Sequence, residues 1–229
     1  MKFSTDEKTS ILLALYVGAI LAANLIGGKL TGFFGKGLSV AILALPITYV
    51  ILSAVNEVFG AEIPRKYVLS AISAQIMVLV LIAVALWLPQ GPREIFPGFT
   101  GAYNIVFSQS GRIIIGSIVA FLASQLFVIW AFNLIKQKTL GKHSWLRYNL
   151  ATVSGAFIDT FLFMFIAFFS GDFMFTANIA LNYFLFKALA SLISTPFYYG
   201  AVRWLWSEKT PPREPPVEIS VGVPQRSRA

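Results

Sequence analysis

Lys187 stands inside the apolar run NYFLFKALASLISTPFYYG, residues 182–200, and Asp159 inside TVSGAFIDTFLFMF, residues 152–165. An ammonium or a carboxylate alone in hydrocarbon costs about 2.5–3.5 kcal/mol on insertion scales. Such groups survive there by pairing, by binding a ligand or by carrying protons. Intramembrane ionisable residues are therefore candidate functional groups from the outset. The plainer alternatives are an ion pair that only fixes helix packing, and a lysine that snorkels to the interface.

Other polar residues border the apolar runs. Glu57 closes one of them in SAVNEVFG, where a carboxylate at the water boundary is often merely solvated. Asn24 and Lys29 flank the end of the first run, and Arg112 opens another. Gln75 and Gln125 lie within runs, where a lone amide usually joins helices. Gathered around one cavity, such amides could hydrogen-bond a flat heterocycle, and some of the abundant aromatic rings could stack on it.

Enzymatic chemistry has little to work with. There are no cysteines, which excludes disulfides, thiolate catalysis and zinc–sulfur sites, and His143 is the single histidine. No Gly-rich phosphate loop, HExxH helix or nucleophile elbow appears. Ser154-Gly155 lies in an apolar run, but the usual preceding glycine of an intramembrane serine protease is absent, and His143 lies in a loop. No cofactor is expected.

The elements that would position these groups follow from composition. Of 229 residues, 57% are hydrophobic and only 12% charged, against about 25% charged in soluble domains. The chain reads as an all-α integral membrane protein. A spanning helix needs about 20 apolar residues, and six segments supply them: 9–26, 38–57, 67–88, 112–135, 150–169 and 178–205. They form one transmembrane domain over 1–206, with a Pro- and charge-rich tail over 207–229 read as disordered. Connections are short except 89–111, which can fold over one face. Ala14, Gly18 and Ala22 repeat every four residues and permit close helix contact.

The +8 net charge is arranged as a topology signal rather than a nucleic-acid surface. Most Lys and Arg, including Lys8, Lys136 and Arg147, fall on the side of the termini. Only Lys29, Lys36, Arg93 and Arg112 fall on the other. The positive-inside rule then puts both termini in the cytoplasm. On that topology Lys187 and Asp159 each lie roughly 13 Å deep, from opposite faces, within about one turn of the same level. They are expected to pair across adjacent helices.

Several stretches together resemble the queuosine precursor transporters, also called the vitamin-uptake-transporter family. ANLIGGKL is similar to its first-helix motif through Asn24 and Lys29. LPITYVILSAVNEVFG resembles its second signature through Pro46, Thr48, Tyr49, Glu57 and Gly60. GRIIIGSIVAFLASQ is similar through Arg112 and Gln125. WLRYNLATVSGAFIDT contributes Trp145, Arg147, Asn149, Asp159 and Thr160, and FKALASLISTPFYY contributes Lys187, Thr195, Pro196 and Tyr198. The chain departs from the family pattern at Ser53, Val128 and Ser194, where acidic residues are usual, and near Ala156, where Gln is usual.

The resemblance implies a multi-pass transporter of the bacterial inner membrane that imports 7-deazaguanine bases by alternating access, without chemical conversion. Its partners would be the small heterocycle and the lipid bilayer, with no nucleic acid and with room for a homo-oligomer. Glu57 and Asp159 are the carboxylates available to accept from the amidine N–H groups of such a base. The rival readings are the substrate-binding subunit of an energy-coupling-factor vitamin importer, which needs an ATPase partner, a transporter of another small heterocycle, an intramembrane hydrolase and a non-transporting assembly protein.

Overall fold

In a computed structural model the chain is described over residues 3–33, 36–89, 91, 93, 96–108, 111–169 and 171–206. The tail expected over 207–229 lies outside the described residues. Six of the helices are long and apolar enough to cross a membrane. They are α1 (Thr5–Ile26), α2 (Leu45–Phe59) with the short 3-10 turn Val40–Leu43 before it, α3 (Glu62–Trp87), α5 (Gly111–Lys138), α6 (Ser144–Phe168) and α7 (Phe173–Ile193). Between them lie the hairpin β1 (Leu30–Phe33) and β2 (Lys36–Ser39) and the short helix α4 (Phe99–Phe107); α8 (Thr195–Trp206) closes the described chain.

Local chemistry sets most boundaries. Ser4 caps α1, and Glu7 returns the contact by accepting from the Ser4 N–H, a complete capping box. Pro46 occupies the first turn of α2, where its missing N–H costs nothing. Gly60, at φ 74°, ends α2 in the left-handed half of the map that glycine tolerates. Asp172 caps α7 by accepting from the Phe175 N–H. α5 and α6 are joined through a tight turn in which Leu140, Gly141 and His143 all have positive φ.

The sixth expected span, 178–205, needs correcting. It is two helices: α7 starts earlier, at Phe173, and the ladder breaks at Ser194. Pro196 is the cause, because it has no N–H to donate and its ring crowds the carbonyl one turn back. The connections also carry more structure than expected, in the β1–β2 hairpin and in α4.

Burial shows which helix is central. The α2 span is more than half buried, while α1, α3 and α7 are each less than a fifth buried. Its Leu52 joins Tyr16, Val68, Phe132, Tyr148 and Tyr198 from the other helices in a continuous core. α5 and α6 run against each other at small residues. A Cβ on Gly155 would fall 2.2 Å from Val128 Cγ2, so only glycine allows this approach. The Ala14, Gly18 and Ala22 stripe is different. All three are exposed, and a Cβ on Gly18 would meet nothing within 4 Å, so the stripe faces away from the bundle.

Candidate functional site

Lys187 Nζ donates to Asp159 Oδ2 at 2.6 Å, joining α7 to α6. The helices approach from opposite ends. At 1.5 Å per residue Asp159 lies about 22 Å along α6 and Lys187 about 21 Å along α7. Side chains lean toward the N-terminus of their own helix, so in an antiparallel pair the two groups lean toward each other and close the axial gap. Ser124 on α5 offers its hydroxyl to the other carboxylate oxygen, Oδ1, at 3.5 Å. Both side chains of the pair keep some exposure, 14% and 20%. The pair is thus sheltered but not sealed.

A second cluster closes the end of the bundle that carries the termini. Arg147, in the first turn of α6, grips Glu57 with a two-pronged fork: Nε to Oε2 at 2.7 Å and Nη2 to Oε1 at 2.6 Å. Its Nη1 donates to the carbonyls of Gly141 and Lys142 in the α5–α6 turn. Lys136 donates to the Glu57 carbonyl at 2.7 Å, near the C-terminus of α2, where a cation is favoured. The Tyr198 hydroxyl of α8 lies 3.4 Å from Glu57 Oε2 and 2.7 Å from Ser144 Oγ, and its ring stacks on Tyr148. Lys136 Nζ also lies 3.6 Å from Glu57 Oε1, so α5, α6 and α8 all reach the one carboxylate that α2 carries. Glu57 is 8% exposed and Arg147 2%, so Glu57 is not the solvated boundary residue that its position suggested.

The third feature is a cavity of about 330 Å³ at the end that carries α4. Its walls come from α1, α3, α4 and α5 and include Asn24, Gln75 and Ser117 among apolar residues such as Leu21, Ile82 and Phe107. Gln75 Nε2 donates to Ser117 Oγ at 3.3 Å, while Gln75 Oε1 is buried with no partner.

The remaining sequence candidates spread out. Tyr49 is buried on α2. Gln125 accepts from the Tyr16 hydroxyl and ties α5 to α1. Thr48 donates to the Leu45 carbonyl one turn back on its own helix. Thr195 donates to Asn149 Oδ1, linking the start of α8 to α6. Lys29 is exposed beside the hairpin, away from both charged clusters. Arg112 lies in the first turn of α5, and its side chain is outside the described residues. Of the positions lacking the usual acid, Val128 fills the contact with Gly155. Ser194 donates to the Ser191 carbonyl and meets the Tyr148 hydroxyl. Ser53 is buried with no hydrogen-bond partner.

Ser117, Ser124 and the Glu57 partners Arg147, Lys136 and Tyr198 escaped the sequence reading of the site. Arg147 and Lys136 had been counted as cations on a boundary loop. The signal that could have found Arg147 was its place after Trp145 at a helix start, one turn inside the turn glycine.

Six apolar spans define a multi-pass integral membrane protein. A family model described as "Putative vitamin uptake transporter" matches residues 39–201, and the chain belongs to that transporter family. It is also 25% identical over 199 residues to the "Probable queuosine precursor transporter" of Bacillus subtilis (strain 168), covering 84% of each chain. No solved structure matches.

Proposed function

We propose that this chain imports queuosine precursors, 7-deazaguanine bases, across the bacterial inner membrane, by secondary transport without chemical conversion. The likeness to the Bacillus subtilis relative supports the substrate class. The observation that carries a transport reading in this molecule is the partly open Lys187–Asp159 pair, a charged couple maintained in hydrocarbon at a cost that structure alone seldom requires. Both termini face the cytoplasm in this reading. The Arg147–Glu57 cluster then shuts the cytoplasmic end, while the cavity lies toward the outside, an arrangement poised to receive substrate. The return half of the cycle separates α6 from α2 at that cluster.

The test is uptake in a strain unable to make queuosine precursors. tRNA queuosine is measured with and without this chain at limiting external precursor. Restoration is expected, and unchanged tRNA at normal membrane abundance overturns the reading.

One observation favours a second reading. The exposed Ala14, Gly18 and Ala22 stripe would suit docking of a membrane partner, as a subunit of an energy-coupling importer requires. Co-purification of an ATPase module would decide for it.

A further inference from the structure

We propose that the cavity between α1, α3, α4 and α5 binds the base itself, that the carboxamides of Asn24 and Gln75 read its donor–acceptor edge, and that the site selects bases without net charge. The inference rests on the 7-deazaguanine reading above and adds to it a location and a selectivity.

The volume is about 330 Å³, within the range of small-molecule sites, which are mostly apolar with a few placed polar groups. This cavity has that composition: a largely aliphatic wall, one aromatic residue in Phe107, and the polar side chains of Asn24, Gln75, Ser108 and Ser117. The independent observation is at Gln75. Its residue is 4% exposed, its Nε2 is held by Ser117, and its Oε1 has no partner. Buried carbonyl oxygens are nearly always paired, and an exception asks for an explanation. A ligand N–H supplies one. Gln75 is held through one end of its amide by α5; its Oε1 is shielded in this structure, so a bound base reaches it once the side chain turns toward the cavity.

The charge selectivity follows from the walls. No Asp, Glu, Lys or Arg lines the cavity among the described residues. A cation brought into it would lose its hydration with no counter-charge in return. Each carboxamide offers both a donor and an acceptor, which matches the alternating lactam and amino edge of a neutral deazaguanine. The charged pair at Asp159 is thereby assigned to a later stage of transport, and first recognition to amides.

The test is equilibrium binding of radiolabelled 7-deazaguanine to the purified full chain in lipid nanodiscs, with its cationic 7-aminomethyl derivative as competitor. Gln75→Leu, close in size, should weaken binding at least ten-fold with an unchanged ligand-free unfolding temperature. Ser117→Phe, which fills the cavity, should abolish it. The aminomethyl derivative should compete at least ten-fold more weakly than the unlabelled parent. Ser108→Cys, exposed at the rim, gives a readout that does not disturb the core: saturating 7-deazaguanine should protect it from maleimide. If the wild type binds but the variants bind equally and Ser108→Cys is unprotected, the site lies elsewhere and the transport reading stands. If the aminomethyl derivative competes as well as the parent, the selectivity is wrong. If the wild type binds no 7-deazaguanine, both readings fall.

Discussion

Arg147 and Glu57 are 90 residues apart in sequence, yet the guanidinium and the carboxylate meet edge to edge at 2.6 and 2.7 Å. Two parallel N–H···O contacts fix orientation as well as distance, which a lysine at the same place cannot do. Removing one partner of such a buried pair strands the other and typically costs about 3–5 kcal/mol. Arg147→Met is therefore expected to lower membrane abundance sharply, and Arg147→Met with Glu57→Gln to restore it. Transport by the double variant should stay impaired, because the closed end no longer holds. Quantitative immunoblotting and uptake in parallel read both outcomes; a fully active Arg147→Met would remove the fork from the account.

The Lys187–Asp159 pair predicts a different pattern. Lys187→Met or Asp159→Asn alone should abolish uptake, and the double variant should recover abundance, since no charge is left alone. A structural pair would let the double variant transport as well. The expected result is a folded, inactive protein, consistent with the residual exposure of both side chains. Lys187→Met that is stable and fully active would make the lysine a bystander.

Gly155 tests the α5–α6 contact. Gly155→Ala drives a methyl to within 2.2 Å of Val128 Cγ2, and overpacking of that kind typically costs about 1–3 kcal/mol. Thermal unfolding in detergent should show a lowered midpoint for Gly155→Ala and a largely recovered one for Gly155→Ala with Val128→Ala. An unchanged midpoint in the single variant would mean that the helices separate freely at this point.

Orientation is open to direct labelling because the chain has no native cysteine. Asn104→Cys on α4 and Lys138→Cys at the end of α5 are both exposed positions at opposite ends of the bundle. In intact spheroplasts an impermeant maleimide should label the first strongly and the second weakly. The opposite pattern would invert the topology proposed from the Lys and Arg asymmetry.

How much of this was legible in the sequence differs from residue to residue. Lys187 and Asp159 could be paired in advance because hydrocarbon leaves two opposite charges at one depth little choice. Pro196 marked a break that the count of apolar residues ran straight across. Arg147 was hidden by its setting: at the start of a helix, near other cations, a buried guanidinium and a solvated one have the same sequence signature. The cavity was hidden for another reason. Asn24, Gln75 and Ser117 come from three helices, and only their packing shows that one amide oxygen is left without a partner.

Lys8, counted by sequence among the boundary cations, is 3% exposed, and its ammonium donates to the carbonyl of Trp204. The ammonium also sits over the Trp204 ring, 5.5 Å from its centroid. Ribosomes make the chain from the other direction in time: Lys8 emerges ahead of Trp204, which follows only after all six spans have been threaded. During synthesis the first helix therefore waits in the bilayer with one of its final contacts missing. The bundle is closed by α8, made after all six spans, as a ring is closed by its clasp, and a nascent chain halted before α8 lacks that closure.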